Sequence, residues 1–339
     1  MAEIVVLSEQ LEEKYNEFLL KYDKSLFYHS LKYRNFLKKI INGKDNYLIA
    51  LENNDIKGVL PLFFIENKEH GRIYNSLPYY GSNGGVMSNN KEISLQLINE
   101  YKRIINLEES AGGTIIINPI DSQDYSTIEN DFIDERISFW NDLSVLKSEE
   151  DLFNVIDSST RRNIKKAKRE GITVSIDNHQ IDFLYKTHVS NMEAIGGKPK
   201  TKDFFNLIDS SFISGDDYDI YIAKKDEKII AGLLVFYFKN TVEYFVPVIV
   251  SEFREYQPLS LIIYQAFLES AKRGFRLWNW GGTWKSQDGV YRFKKKWGGK
   301  EINYTYYINI SNKRIIELNQ EEIINEYPNF FVIPFSKLK

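Results

Sequence analysis

Two stretches of this chain read alike. YLIALENNDIKGVLPLFF (47–64) and YIAKKDEKIIAGLLVFYF (221–238) align without gaps: Tyr47 meets Tyr221, Ile56 meets Ile230, Gly58 meets Gly232, Leu60 meets Leu234 and Phe64 meets Phe238. Each is a β-branched or aromatic run, a polar turn and a second apolar run, which is the signature of a β-hairpin. The sequence after each hairpin is parallel as well. After the first come RIYNSLPYYGSNGG, a helical stretch from about Lys91 to Leu107, a glycine stop at Gly112 and Gly113, and the strand TIIIN. After the second come VEYFVPVIV, a helix from Pro258 to about Arg273, the stop Gly274, and FRLWNW. The same order of strand, strand, strand, helix, strand twice over predicts an α/β (α+β) chain of two related domains, residues 1–145 and 146–339. Each should hold a mixed, mostly antiparallel sheet flanked by helices.

The 339 residues are enough for two such domains. The chain has no cysteine, which removes disulfides and thiolate chemistry. His29, His70, His179 and His188 show no metal-ligand spacing, so no zinc site is expected. A net charge of −3 leaves nucleic acid only a local basic patch, and DNA is not expected as a partner. MAEIVVLSEQ lacks the basic and apolar regions of a signal peptide, and no apolar run is long enough to span a membrane. A cytoplasmic protein is expected, with contact to a membrane surface left open.

The second helix has readable ends. Pro258 suits a first turn, where its missing N–H costs nothing, and Gly274 suits the position just past the end. Leu259, Ile262, Ile263, Ala266 and Phe267 mark one apolar face. A helix N-terminus after a strand favours an anion, and Arg254 in the preceding turn SEFREYQ would add a charged donor or be an ordinary surface residue. Pro247, inside the strand before it, marks an edge or a bulge, and a bulge would splay the strand from its neighbour.

Hairpin, third strand, anion-binding turn, helix and further strand is the order of GNAT-type N-acyltransferases. Two such domains in tandem resemble the Fem-type aminoacyl (peptidyl) transferases, which attach amino acids from aminoacyl-tRNA to peptidoglycan precursors. The resemblance runs from about Phe27 to Tyr307. It is carried by STRRNIKKAKREGI (159–172), REYQPLSLIIYQAF (254–267) and WNWGGTWKSQDGVYRFKKKWGG (278–299). No heptad insertion is present, so the chain resembles members without a coiled-coil arm. A related group that joins amino acids or simple acyl groups to amino sugars of surface polysaccharides is equally compatible.

Ser158, Ser159 or Thr160 can cap a helix whose first turn displays Arg161 and Arg162. The resemblance places that arginine pair where the family contacts the diphosphate of a nucleotide-linked acceptor; a solvated basic helix is the alternative. Trp278 and Trp280 alternate along a strand and should share a core face. Gly281 and Gly282 would let substrate approach the backbone. By resemblance Lys294, then Lys295, reaches an acceptor phosphate as a mobile point charge, with Tyr291 beside them. These two basic clusters are expected to face one cleft between the domains. Lys32 and Arg34 lie on an early helix whose family counterpart faces the acceptor, and Tyr79 and Tyr80 could stack on a nucleobase or be ordinary packing.

Acyl transfer to an amine needs a proton acceptor, oxyanion stabilisation and alignment. In Fem-type relatives the first-domain strand commonly ends in Asp-Pro, whereas here it ends in Asn118-Pro119. Asn118 can position an amine but cannot be a base, so either Asp121 or Asp288 substitutes or the substrate or water takes the proton. No tightly bound cofactor is expected. The donor is aminoacyl-tRNA or acyl-CoA, and the absence of glycine from SEFREYQ weighs against CoA. The acceptor is a phosphate-bearing small molecule or lipid-linked precursor. A non-catalytic binding protein of the same fold is the third reading.

Overall fold

A computed structural model describes residues 2–79, 83–121, 125, 129–283 and 288–338. Along the chain the strands are β1 (Glu3–Val6), β2 (Lys44–Asp45), β3 (Leu48–Glu52), β4 (Asp55–Leu60), β5 (Phe63–Asn67), β6 (Gly71–Asn75), β7 (Ser110–Ile116), β8 (Phe132–Asp142), β9 (Thr173–Ile176), β10 (Tyr218–Lys225), β11 (Lys228–Phe238), β12 (Thr241–Ile249), β13 (Leu277–Thr283) and β14 (Lys300–Ile310). The α-helices are α1 (Glu12–Lys21), α2 (Leu31–Ile40), α3 (Lys91–Ile105), α4 (Glu149–Val155), α5 (Ser158–Arg169), α6 (Ile181–Glu193), α7 (Lys202–Asn206), α8 (Ile208–Ser211), α9 (Pro258–Lys272), α10 (Asp288–Lys295) and α11 (Gln320–Glu326).

The chain divides into two compact units. One is Met1–Arg136 with Asn303–Lys339; the other is Ile137–Ile302. A single cut near residue 145 does not describe this, because the last segment of the chain returns to the first unit.

In the first unit β3 and β4 form a hairpin beside β1, while β2, β5, β6, β7 and the later part of β14 form a second layer of strands. Neighbours are antiparallel except β6 and β7, which are parallel and joined through α3. The apolar face of α3, with Ile93, Leu97, Ile98, Tyr101 and Ile105, packs on Leu48, Leu60, Tyr74 and Ile115. Gly112 and Gly113 lie inside β7 and not at the end of α3. A Cβ on Gly112 would come within 2.3 Å of the Asn309 carbonyl on β14, and one on Gly113 within 2.7 Å of the Tyr101 hydroxyl. These glycines serve close packing of the strand rather than stopping the helix.

In the second unit β9 to β13 are joined in the order β9-β10-β11-β12-β13, and β13 pairs on its other side with β8. Here too only one neighbouring pair is parallel, β12 with β13, joined through α9. Pro258 occupies the first turn of α9 and Gly274, with φ 89°, follows its end, as the sequence predicts. Trp278 and Trp280 share the face that meets this helix. The Phe267 ring lies 4.5 Å from Trp278, 5.7 Å from Trp280 and 5.6 Å from Trp297, and all three indoles are buried.

The two predicted hairpins exist and are equivalent, but one residue out of the gapless alignment. Each turns on two left-handed residues, Asn53-Asn54 and Asp226-Glu227, the geometry that matches strand twist. Counting from the turns, the pair Ala50–Gly58 corresponds to Ala223–Ala231, and each hairpin has its bulge at that point. Gly58 therefore matches Ala231, not Gly232. Gly58 is pressed on Ile93 of α3, whereas Gly232 is pressed on Leu184 of α6. A slip of one residue exchanges the faces of a strand. It went unseen because Ile230 to Tyr237 are buried throughout and show no alternation.

Candidate active site

The opening that the fold offers lies between β12 and β13. Their pairing covers Thr241–Leu277, Val242–Trp278 and Glu243–Asn279 and then ends, although β12 runs on to Ile249 and β13 to Thr283. On its other side β12 stays paired with β11 to Ile249, with a bulge at Phe245 that re-aims the strand. Pro247 pairs with Leu233 two residues beyond the bulge, on a strand that is by then an edge toward β13, where a missing N–H is tolerated. β13 stays paired with β8, with an irregularity between Asn279 and Gly282. Gly281 there has φ 70°, and open space surrounds the position a Cβ would take.

Buried polar groups line the head of the opening. Glu243 is 1% exposed and its Oε2 accepts from Asn279 Nδ2 at 2.7 Å. Asn279 Oδ1 accepts from Gly281 N at 2.8 Å, so a carboxylate orients an amide that in turn holds the glycine turn. Glu243 escaped the sequence reading; its signal was a lone acid within the apolar strand TVEYFVPVIV.

Lys294 differs from expectation. It sits on α10, 6% exposed, and donates to the Gly281 carbonyl at 3.2 Å, the Gly282 carbonyl at 3.0 Å and Thr283 Oγ1 at 2.8 Å. Burial lowers its pKa to about 7. Three acceptors suit the three donors of an ammonium, while the lack of solvent disfavours the charge. Lys294 is thus buried and tied to the β13 glycines, not a mobile surface charge. Lys295 is exposed, with Nζ 3.4 Å from the Tyr291 hydroxyl. Tyr291 is half-buried and donates to Glu301 at 2.7 Å. Asp288, at the start of α10, is exposed and 3.9 Å from Arg292.

The cap of α5 is Asp157, whose carboxylate accepts from Ser159 N at 2.7 Å; Ser158, Ser159 and Thr160 lie within the helix. A negative side chain already answers the field at that helix end. Arg161 donates to the Phe153 carbonyl at 2.6 Å, and Arg162 is exposed. The structure does bring the start of α5 to the end of α10, since Asp157 N donates to the Lys296 carbonyl at 2.8 Å. Arg254 is exposed on a 3₁₀ turn, Ser251–Tyr256, between Glu252 and Glu255. Gln257 then caps α9 in the left-handed conformation and makes no side-chain capping bond.

The first-unit candidates are engaged locally. Asn118 donates to the Lys24 carbonyl at 2.8 Å and accepts from Ile120 N at 3.2 Å. Asp121 is 6% exposed and accepts from the Tyr22 hydroxyl and, at 3.0 Å, from Lys24 Nζ. Its two oxygens are committed, which fits a structural clasp better than a base. Arg34 is paired with Glu12 at 2.7 Å and with Asp45, and Lys32 is exposed on the same helix. Tyr80 lies outside the described residues. Among the described residues no cluster of His, Cys, Asp and Glu could hold a metal ion, and no helix is long and apolar enough to cross a membrane.

The family model described as "Acetyltransferase (GNAT) domain" matches residues 157–295. Its match begins at the Asp157 cap and ends at Lys295, so it contains Glu243, Gly281, Gly282 and Lys294. The whole chain shares the fold of FemX, at TM-score 0.72 and 13% identity, covering 92% of this chain and 98% of that one. A tandem GNAT protein from the clavulanic acid biosynthesis pathway gives 0.55 at 11% identity, covering 92% and 99%. L-PGS from Bacillus licheniformis gives 0.53 at 10%, covering 83% and 91%. No curated protein sequence matches. The tandem fold expected from the repeat is the fold found.

Proposed function

We propose that the chain is an N-acyltransferase whose chemistry lies in the second unit, between β12 and β13. One observation carries this reading: the two strands part after Glu243 and Asn279 while Lys294 is buried against the carbonyls of the diverging strand. An acyl donor laid between the strands can pair with the vacated edge of β12, as a further strand would. Its carbonyl then lies toward Gly281 and Gly282, where glycine leaves room. The acceptor amine attacks that carbonyl carbon. The ammonium of Lys294 exchanges its longest bond, to the Gly281 carbonyl at 3.2 Å, for one to the developing oxyanion, and Glu243, oriented by Asn279, receives the amine proton through a water. Collapse of the tetrahedral intermediate forms the amide and expels the donor's hydroxyl or thiol, which takes a proton back.

The favoured donor is an aminoacyl ester, as on aminoacyl-tRNA, and the acceptor an amine on a phosphate-bearing cell-envelope precursor. FemX and L-PGS support an aminoacyl donor as relatives in fold. The turn before α9 supports it chemically, because Glu252 and Glu255 flank Arg254 where a CoA diphosphate would need uninterrupted amides and positive charge. Arg161, Arg162 and Lys295 remain available for the acceptor phosphate. The alternative, acetyl transfer from CoA to an amino sugar, draws on the description of the matching domain.

Purified protein offered charged tRNAs or acetyl-CoA, each with nucleotide-linked amino sugars and peptidoglycan precursors, should give an aminoacylated product by mass. An acetylated product alone would replace the aminoacyl reading. No product with any pair would favour a binding protein.

A further inference from the structure

A second concavity lies at the other end of α9 and takes no part in the reaction above. It has a volume of about 570 Å³ and is floored by Leu146, Leu268 and Phe275, with Lys147, Lys272 and Arg276 around it. These cations are exposed, and among the described residues none of them forms an ion pair. Glu149 also lines the concavity and Glu150 beside it is exposed, while three of the acids nearby are held by neighbours. Glu149 is bonded to Lys168 at 2.9 Å, Asp142 accepts from Ser144 N at 2.9 Å, and Asp151 accepts from the Lys147 N–H at 2.9 Å. Val145, beside Lys147, projects at 54% exposure. Among the described residues, three exposed cations outside any ion pair thus stand around a partly buried apolar floor.

We infer that this concavity binds an anionic lipid, with the phosphate headgroup on Lys147, Lys272 and Arg276 and the first part of the acyl chain on Leu146, Leu268 and Phe275. A headgroup phosphate gives an ion-pair partner to three cations that have none among the described residues, and hydrocarbon covers the floor that polar ligands would leave wet. Val145 is placed to enter the same layer. The site is independent of the acyl-transfer reading and would hold the enzyme at a surface rich in anionic lipid.

The test is sedimentation of the full chain with vesicles of phosphatidylglycerol in phosphatidylcholine, against phosphatidylcholine alone. Calorimetry with monomeric lysophosphatidylglycerol and with inorganic phosphate accompanies it. Binding to the anionic lipid, weakened by salt, is expected. The triple variant Lys147→Gln/Lys272→Gln/Arg276→Gln should lose on the order of a hundredfold in affinity. Leu268→Gln should weaken lipid binding without changing the response to inorganic phosphate. Binding of the lysolipid but not of vesicles would assign the site to a free amphiphile of the same chemistry. Equal binding to neutral vesicles, an unaffected triple variant, no binding to any lipid, or phosphate binding as tight as the lysolipid would each overturn the inference.

Discussion

In the first unit β6 and β7 stay joined past the end of their ladder; in the second, β12 and β13 part. The two pairs are otherwise alike. Each is the parallel pair of its unit, each is crossed by one long helix, and each ends its ladder on a polar cross-strand pair, Asn75–Thr114 or Glu243–Asn279. The difference is one hydroxyl and its neighbours. Ser76 N donates to the Thr114 carbonyl at 2.9 Å, and Ser76 Oγ accepts from Ile116 N at 2.7 Å and from Gly85 N at 3.3 Å. Asn75 also grips the returning C-terminal segment, donating to the Phe331 carbonyl at 2.8 Å and accepting from Phe331 N at 2.7 Å. One architecture thus leaves its parallel strands parted in the second unit and joined in the first.

The largest effect should come from Lys294→Met, which removes the amine while filling its volume. Acyl transfer should fall about a hundred- to a thousandfold, and Ser76→Ala in the first unit should leave the rate unchanged. Equal losses in both would show that the distinction between the units has no catalytic meaning. Next is Gly84→Ala. The new methyl would lie 2.1 Å from the Ser76 carbonyl, so denaturant unfolding should show a loss of roughly 1–3 kcal/mol or more. A neutral result would mean that this joint is loose.

Ser76→Ala should itself cost about 1–3 kcal/mol, because two buried N–H groups lose their acceptor. The smallest effect concerns pH. Lys294 has its pKa lowered to about 7, so the folded state binds fewer protons there than the unfolded chain between that pH and the ordinary lysine range. The penalty for burying its charge is full below about 7 and is relieved as pH rises through that window. Lys294→Met should remove this rise in stability with pH. The transfer rate, if the ammonium is the donor to the oxyanion, should decline over the same rise.

The repeat in the sequence was enough to anticipate both hairpins and the ends of α9, because turn residues, proline and glycine act locally. Its register was not legible, since strands buried on both faces carry no alternation to fix it. The site was legible only in part. Gly281, Gly282 and Lys294 were singled out, but Lys294 was assigned to solvent, because a run of three lysines does not reveal which one the helix turns inward. Glu243 and Ser76 act through partners distant in sequence, Asn279 and Ile116, which only the fold brings to them.

The central claim is that the donor enters the second unit and not the first. Calorimetric titration with a non-hydrolysable aminoacyl-ester analogue addresses it directly, on the native chain, Lys294→Met and Ser76→Ala. The account predicts a single donor per chain, weakened or lost in Lys294→Met and unchanged in Ser76→Ala. Two donors per chain, or binding that survives Lys294→Met and is altered by Ser76→Ala, would contradict it.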